Sequence, residues 1–192
     1  MNAIYDLYPT SYITPEYARK MMHQVPDATV VSREAYLLER ASGRFVLDIG
    51  ASGPMSEAIK EAAGRYASVN IENADYNIDI DRAESLPDLS PDVVIAGEVI
   101  EHISNAGHFL DLLSVYSCPI IITTPNAYSS AGMYWNGRGV EQVNPEHVVW
   151  YSWYTLNNLL TRHGYDVIEW HWYKGRPLTA EGLIFEVKHG KS

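Results

Sequence analysis

The hydrophobic positions of the chain change their spacing repeatedly from residue 44 onward. Short runs rich in β-branched residues alternate with longer runs in which apolar residues recur every three or four positions. This alternation predicts a sandwich of helices around a largely parallel sheet. Seven strands are expected, at Phe45–Ile49, Ser68–Ile71, Tyr76–Ile80, Asp92–Ala96, Pro119–Thr123, Tyr165–Tyr173 and Leu183–Lys188.

Three helix faces are predicted between these strands. They are marked by Met55, Ile59 and Ala62, by Phe109, Leu112, Leu113 and Tyr116, and by Trp153, Leu156, Leu160 and His163. The last two strands are separated only by a turn around Gly175 and Pro177, so they should form an antiparallel hairpin. We therefore expect an α/β three-layer sandwich with a seven-stranded, mostly parallel sheet and a C-terminal antiparallel hairpin.

The region before Arg44 has its own helix signals. Thr14 precedes Pro15, a proline suited to a first helical turn, and Ser32 opens a second segment that stops at Gly43. We interpret residues 1–43 as a helical cap and residues 44–192 as the main domain, the two forming one structural unit. Tyrosines cluster before the first predicted helix, at Tyr5, Tyr8, Tyr12 and Tyr17.

Composition narrows the possible partners. The chain has 192 residues, with 14 Lys and Arg against 24 Asp and Glu and a net charge of −10, and no local basic patch, which opposes nucleic-acid binding. The longest apolar runs fall far short of a membrane span of about 20 residues, and the N-terminus lacks the features of a signal peptide. We expect a cytoplasmic protein without a membrane partner. Cys118, the single cysteine, excludes an internal disulfide and a cysteine-based zinc site.

The first strand of this domain runs into a glycine-containing turn at a helix start. Gly50 and Gly53 allow close approach of the backbone to a ligand. A nicotinamide-binding turn would read G-x-G-x-x-G, but Ser52 occupies the place of the second glycine. Asp48 would also repel a pyrophosphate, whereas it would favour a ligand that carries an ammonium group.

This segment resembles the first motif of the class I S-adenosylmethionine-dependent methyltransferases, (D/E)-x-G-x-G-x-G. It departs from the motif at Ser52 and Pro54, where glycines are expected, and Gly53 is displaced by one position. The resemblance implies a Rossmann-like fold and S-adenosyl-L-methionine as the cofactor. The turn residues that it implies as cofactor ligands are Asp48, Gly50, Ala51, Ser52 and Gly53.

Later segments carry the same resemblance. Glu72, after the second strand, is expected to accept hydrogen bonds from the ribose hydroxyls. The stretch from Asp79 to Pro87 is similar to the family's D-A-E-x-L-P segment, which implies Asp81 at the adenine amino group, with Ile80 beside the ring and Asp79 as the alternative acid.

The resemblance extends from Arg44 to Lys188. Glu98 to His102 reads E-V-I-E-H, as in the turn after the family's fourth strand, and this implies Gly97 and Glu98 at the methionine end of the cofactor. Pro125-Asn126 is similar to the end of the family's fifth strand, and the stretch from His147 to Ser152 to its H-x-x-(W/F)-(F/Y)-S segment.

Two histidines are candidates for a catalytic base. A sulfonium methyl group is already activated, so catalysis requires a positioned nucleophile and, for oxygen or nitrogen, a proton acceptor. His102 and His147 both fall at the carboxyl ends of strands. We favour His147, which follows the aromatic segment from Ala127 to Asn144, where an acceptor pocket can form and where Tyr128, Tyr134 and Trp135 lie.

A metal site is the competing interpretation of the same residues. Glu98, Glu101, His102 and His147 resemble the ligands of metal-dependent enzymes that 2′-O-methylate the 3′ ends of small RNAs. However, E-x-x-E-H also occurs in metal-free small-molecule methyltransferases, and the acidic charge opposes RNA. We expect no metal.

The sequence thus predicts an S-adenosylmethionine-dependent methyltransferase that acts on an oxygen or nitrogen of a small molecule or glycan. The alternatives are a metal-dependent RNA 2′-O-methyltransferase and a catalytically inactive S-adenosylmethionine-binding protein. A nicotinamide oxidoreductase is disfavoured by Asp48 and the missing G-x-G. The acceptor and the oligomeric state stay open.

Overall fold

The computed structural model describes residues 19, 20 and 22–190. The strands are β1 (Val30–Val31), β2 (Phe45–Ile49), β3 (Arg65–Asn70), β4 (Tyr76–Asn77), β5 (Val93–Gly97), β6 (Ile120–Pro125), β7 (Tyr165–Tyr173) and β8 (Gly182–His189). The helices are α1 (Arg33–Ala41), α2 (Gly53–Ala62), α3 (Ala106–Leu113), α4 (Ser130–Asn136) and α5 (Trp153–Arg162), and a 3₁₀ turn spans Ile100–His102. No helix in this part of the chain is long and apolar enough to cross a membrane.

The strands form a single sheet in the order β1-β7-β8-β6-β5-β2-β3-β4. The neighbours β2, β3, β4, β5 and β6 run parallel, whereas β8 pairs antiparallel with both β6 and β7. The predicted α/β sandwich with a C-terminal antiparallel hairpin is therefore confirmed. The long strand predicted at Tyr76–Ile80 is reduced to Tyr76–Asn77, because this edge strand gives way to a turn in which Arg82 N donates to Asp79 O.

The sheet has eight strands in the described residues, not the predicted seven. The additional strand, β1, pairs parallel with the end of β7, Val30 opposite Trp172 and Val31 opposite Tyr173. A strand of two residues is too short to show an alternating pattern, so the sequence gives no signal for it. The region before residue 44 thus contributes a strand as well as a helix.

The core lies on both faces of the central strands. In β5, Val93 and Ile95 face one side, where they pack with α1 and α2, and Val94 and Ala96 face the other, where they pack with α3 and α5. All four side chains are fully buried. This is the reason the central strands read as continuous apolar runs. Cys118 packs half-buried against the second of these clusters.

Helix α1 is fixed to the C-terminal hairpin by an ionic network. The helix begins after Ser32, whose hydroxyl accepts from Ala35 N at 3.2 Å, as predicted. The Tyr36 hydroxyl donates to Glu169 and to Glu186, each at 2.7 Å. Arg40 donates to Glu186 at 2.7 Å and also pairs with Glu169.

The remaining predictions for the N-terminal region are not tested by the described residues. The helix start at Thr14 and the tyrosines Tyr5, Tyr8, Tyr12 and Tyr17 lie outside the described residues. The division of the chain into a cap at 1–43 and a main domain at 44–192 stays a prediction. In the described part of that cap, α1 lies on the same face of the sheet as α2.

We predict that Arg40→Ala lowers the free energy of unfolding by about 2 to 3 kcal/mol, because it leaves the buried Glu186 carboxylate without its cation. The Tyr36 and Arg40 hydrogen bonds hold the pKa of Glu169 below its ordinary value of 4.5. The contribution of Glu169 is therefore complete above about pH 4.5 and declines as the pH falls through the lowered value. Urea unfolding of both proteins across pH tests this.

The control for this experiment is Arg44→Ala, which removes an exposed arginine just beyond the same helix. It should change the free energy of unfolding by less than about 0.5 kcal/mol. Equal stability losses in the two variants would contradict the role given to Arg40.

Candidate active site at the carboxyl ends of the strands

The predicted site residues gather where the parallel strands end. The loops after β2, β3 and β5 enclose a cavity of about 420 Å³, which we call the central groove. Predicted residues in its wall are Gly50, Ser52, Ile80, Asp81, Glu98 and His102. Three further spaces adjoin it and share residues with its wall, so a ligand larger than one cavity has a continuous surface to occupy.

The other predicted residues line these adjoining spaces. Asp48 and Gly97 line a cavity of about 170 Å³ that shares Gly50, Ser52 and Glu98 with the groove. Ala51, Gly53 and Glu72 line a space of about 440 Å³ that shares Ser52 with the groove. His147 lies in a further cavity of about 420 Å³ that shares Asn144 with the groove, and we call this one the His147 cavity.

The turn between β2 and α2 has a backbone that requires glycine. Gly50 has φ +75°, and a Cβ built there would lie 2.4 Å from Val99 Cγ2. Gly53 has φ +68° but faces open space. Ser52 N donates to Ser56 Oγ at 2.9 Å, and Ser52 lines the central groove and two of the neighbouring spaces. The turn thus presents backbone and one small hydroxyl side chain to the groove.

Asp48 is a buried acid beneath this turn. Its side chain is 3% exposed and accepts from the Tyr66 hydroxyl at 2.8 Å. Burial raises the pKa of Asp48, and hydrogen bonds from Ser56 and Tyr66 oppose that rise. A carboxylate in the wall of a small cavity favours a cationic group there.

Glu98 is held in a network that the sequence did not predict. Its backbone is left-handed, with φ +57°, directly after β5. Its Oε1 accepts from Thr123 Oγ1 at 2.8 Å and from the Tyr173 hydroxyl at 3.0 Å, and lies 3.2 Å from Arg33 Nη1. The network turns this carboxylate toward α1 and β7.

The acids expected to bind the nucleoside have different surroundings. Glu72 is exposed and lies in the loop after β3, next to the groove but not in its wall. Asp81 lines the groove, but its carboxylate accepts from Ser104 N at 2.9 Å and from the Ser104 hydroxyl at 3.2 Å. Asp79 also lines the groove and pairs with Arg82 at 3.5 Å. A carboxylate has lone pairs for a further donor, so Asp81 keeps acceptor capacity.

The two candidate bases meet at the other end of the groove. The rings of His102 and His147 lie 4.6 Å apart, edge to face. The backbone oxygen of Glu101 accepts from Val148 N at 2.9 Å, which ties the His147 loop to the 3₁₀ turn. Burial and the neighbouring His102 lower the pKa of His147 below 6.5. His147 is therefore neutral at pH 7, the form that accepts a proton.

Glu101 is the most unusual group in this cluster. Its side chain is 1% exposed, and within the described chain neither carboxylate oxygen has a hydrogen-bond partner. Burial, followed by the charge of Glu98, raises its pKa to about 8. Glu101, His102 and His147 each place a ligand atom within 4.8 Å of the others, so the three could hold a cation. Glu98, the fourth residue of the competing metal interpretation, is not part of this group.

Comparison with known proteins identifies the fold. No protein-family model and no curated protein sequence matches the chain. The small RNA methyltransferase HEN1 is similar with a TM-score of 0.65 and 18% identity, over 89% of this chain but only 27% of HEN1. The N-methyltransferase NodS from Bradyrhizobium japonicum WM9, in complex with S-adenosyl-L-homocysteine, is similar with a TM-score of 0.59 and 13% identity, over 83% and 86% of the two chains.

A third similar structure is a SAM-dependent methyltransferase from Archaeoglobus fulgidus, with a TM-score of 0.62 and 18% identity, over 80% of this chain and 90% of that one. The chain therefore has the fold of the class I S-adenosylmethionine-dependent methyltransferases.

We predict that Gly50→Ala destabilises the protein by about 1 to 3 kcal/mol, because the new methyl group meets Val99 in a positive-φ backbone. Gly53→Ala is the matched control, since its backbone is similarly left-handed but its Cβ meets nothing within 4 Å. Denaturant unfolding of the two variants should show the larger loss at Gly50. Equal losses would show that the approach of Val99 does not constrain this turn.

Proposed function

We propose that the protein is an S-adenosylmethionine-dependent methyltransferase that acts on an oxygen or nitrogen of a small molecule or glycan. The observation that carries this proposal is the central groove, where a glycine turn without room for a Cβ meets acidic loops at consecutive strand ends. The fold supports it, since similar structures include a methyltransferase in complex with S-adenosyl-L-homocysteine.

The residues in and beside the groove fit the cofactor in size and chemistry. S-adenosyl-L-methionine, when bound, supplies an activated methyl group. In the proposal, Asp48, Gly50, Ala51, Ser52 and Gly53 surround its amino-acid end, together with Gly97 and Glu98. Ile80, buried in the groove wall, packs beside the adenine, and Asp81 accepts from the adenine amino group. Glu72 reaches the ribose hydroxyls from the adjoining loop.

His147 is proposed as the base that takes a proton from the acceptor. Its lowered pKa keeps it neutral at pH 7, and it lines the His147 cavity with its ring centre 4.6 Å from that of His102, which lines the groove. His102 is the second candidate, because it lines the groove itself. The remaining contribution is positioning, since the acceptor and the methyl group must lie in line.

The His147 cavity is the proposed acceptor site. Its polar lining includes Ser129, Gln142 and Asn144, together with the ring of Trp150. Among the described residues that form it there is no lysine or arginine, whereas Glu181 contributes a carboxylate. Uncharged hydrogen-bonding groups beside an aromatic ring suit a neutral hydroxyl-bearing acceptor such as a sugar and disfavour a phosphodiester.

The aromatic segment before this cavity supports the same acceptor class. Helix α4 contributes Ala131 and Gly132 to the cavity wall. Tyr128, Tyr134 and Trp135, in and just before this helix, remain 61%, 52% and 41% exposed. None of the three rings lines the cavity, and the Arg138 guanidinium lies 3.6 Å from the centre of the Tyr134 ring, which leaves Tyr128 and Trp135 as the stacking surfaces proposed for a sugar or a planar ring.

A metal-dependent RNA 2′-O-methyltransferase is the second candidate. The observation that favours it is the buried Glu101 carboxylate, which has no partner in the described chain and lies beside His102 and His147. These three residues would hold a divalent cation, whose chemistry would be that of a Lewis acid. The likeness to HEN1 agrees with this candidate. We rank it second because Glu98 is bonded to Thr123 and Tyr173 and because the net charge is −10.

We predict that Glu72→Ala weakens S-adenosylmethionine binding about ten-fold or more, because it removes an acceptor for the ribose hydroxyls. Isothermal titration calorimetry measures the change. The control is Glu61→Ala on the exposed side of α2. This variant has the same net charge as Glu72→Ala and should bind S-adenosylmethionine as the wild type does. Unchanged affinity in Glu72→Ala would remove Glu72 from the site.

We predict that His147→Ala lowers turnover by roughly 10² to 10⁴-fold and leaves cofactor binding intact. The wild-type rate should fall as the pH drops through the pKa of His147, which lies below 6.5, because the protonated ring cannot accept a proton. EDTA should have no effect. The assay measures release of S-adenosyl-L-homocysteine with a panel of sugars and small aromatic acceptors. The control is His163→Ala, which removes a histidine that is bonded to Asp111 on α3.

Other results would select an alternative. Loss of activity in EDTA, restored by Mg²⁺ or Mn²⁺ and matched by Glu101→Ala, would favour the metal-dependent candidate. Tight cofactor binding without turnover on any acceptor would favour a binding protein that has lost catalysis. Full turnover in His147→Ala would exclude His147 as base and as metal ligand.

A further inference from the structure

A second polar cavity adjoins the His147 cavity. It has a volume of about 490 Å³, and because residues of α1 line it we call it the α1 cavity. Glu181 lines both of these cavities, and Glu98 lines both the α1 cavity and the central groove. A ligand in the His147 cavity therefore has a further space to enter, next to the proposed cofactor site.

The cations in the wall of the α1 cavity are already paired with acids. Arg33 Nη1 lies 3.2 Å from Glu98 Oε1, and Lys174 Nζ lies 2.7 Å from Glu181 Oε2. Among the described residues that line the cavity, Arg33 and Lys174 are the only two cations. A phosphate, sulfate or carboxylate group would have to compete with an existing carboxylate partner for either of them. The wall therefore disfavours anionic ligands.

The rest of this wall is polar and includes a third acid. Glu34 Oε2 accepts from the Ser32 hydroxyl at 3.0 Å. Val31 is the only described residue of the lining whose side chain has no polar group. An apolar ligand would bury these polar groups without partners, at a cost in free energy. Hydroxyl groups both donate and accept hydrogen bonds, so a ligand rich in hydroxyl groups suits carboxylates and cations alike.

The two cavities repeat the same chemistry. Trp150 lines the His147 cavity and Tyr173 lines the α1 cavity, each beside hydrogen-bonding side chains, and the Glu181 carboxylate is common to both. The volumes are also similar, at about 420 and 490 Å³, and each lies within the range of about 300 to 1,000 Å³ that is typical of ligand sites. Adjoining cavities of similar size and lining suit a ligand with a repeated unit, as in an oligosaccharide.

Glu181, which the two cavities share, is held in place by main-chain hydrogen bonds. Its N–H donates to Lys174 O at 2.7 Å, and its carbonyl oxygen accepts from Asn126 N at 2.8 Å. Asn126 is 1% exposed, and its Nδ2 donates to Ala180 O at 3.0 Å. A residue fixed in this way loses little conformational entropy when a ligand binds, which favours a specific contact.

We propose that the acceptor is a glycan of at least two uncharged sugar units, with one unit in the His147 cavity and the next in the α1 cavity. Glu181 accepts hydrogen bonds from hydroxyl groups where the two units join, and Lys174 donates to the unit in the α1 cavity. This inference rests on the proposed function and narrows its acceptor from a small molecule or glycan to a neutral glycan of a minimum length.

The first test is an array of sugars that differ in length and charge. The array carries mono-, di- and trisaccharides of glucose, galactose, mannose and N-acetylglucosamine, together with oligosaccharides of uronic acids. It is probed with the whole protein in the presence of S-adenosyl-L-homocysteine. Among the uncharged sugars, a di- or trisaccharide should bind at least ten-fold more tightly than its single unit, because it fills both cavities. The uronic acid oligosaccharides should not bind.

The second test uses the oligosaccharide that binds best and its monosaccharide, with calorimetry as the readout. Lys174→Ala should weaken the oligosaccharide at least five-fold and change the monosaccharide by less than about two-fold. The matched control is Lys188→Ala, which removes an exposed lysine at the other end of the same hairpin and should bind both sugars as the wild type does. Circular dichroism identifies a variant that fails to fold, and Lys174→Met, which keeps the length of the side chain without its donors, then replaces Lys174→Ala.

Each outcome has a separate meaning. Equal affinity for an oligosaccharide and its monosaccharide, binding of uronic acid oligosaccharides alone, or no binding to any sugar would overturn the inference. Unchanged oligosaccharide binding in Lys174→Ala, or equal weakening of both sugars, would also overturn it. The proposed function is tested separately by calorimetry with S-adenosyl-L-homocysteine, and it fails if the wild type does not bind this ligand. Cofactor binding together with turnover of a non-sugar acceptor alone would keep the function and exclude the glycan.

Discussion

The close approach of Gly50 to Val99 sets the geometry on which the candidate site depends. No side chain fits at residue 50, because a Cβ would lie 2.4 Å from Val99 Cγ2. Gly50 directly follows β2 and Val99 follows β5, and these strands are parallel neighbours in the centre of the sheet. The contact therefore brings the turn that begins α2 against the turn that leads to the candidate bases, and the space left beside it is the central groove.

Glu98 connects this groove to the rest of the molecule. It precedes Val99 in the same turn, and its carboxylate bonds to β6 through Thr123 and to β7 through Tyr173. Arg33 brings α1 to the same carboxylate. The network has a cost, because a glutamate in the left-handed region is uncommon. Glu98 is not among the residues whose ligand atoms lie within 4.8 Å of one another, so the described chain presents a cluster of Glu101, His102 and His147 where the sequence offered four residues.

The sequence predicted the features that depend on local patterns. The parallel strands show as apolar runs because both faces of the sheet are covered, and the hairpin shows because no helical period separates β7 from β8. The predicted acids and glycines come together because the carboxyl ends of parallel strands meet at one edge.

Features that depend on distant partners were beyond the sequence. Strand β1 is defined only by its pairing with β7, and Arg33 is one of several arginines until α1 places it beside Glu98. Ser104 bonds to Asp81, and this bond links residues that no motif connects. The surroundings of Glu101 were also beyond the sequence, because a glutamate in an E-x-x-E-H turn gives no sign that its carboxylate will be buried without a hydrogen-bond partner.

In the proposed function, the groove beneath Gly50 receives S-adenosylmethionine. Amide chemical-shift mapping of ¹⁵N-labelled protein during titration with S-adenosyl-L-homocysteine, with NADH as the comparison ligand, tests it most directly. Saturable shifts are expected at Gly50, Ala51, Gly53 and Gly97 with S-adenosyl-L-homocysteine and none with NADH. Shifts at these four residues with NADH alone, or no shifts with either ligand, would exclude the groove as the cofactor site.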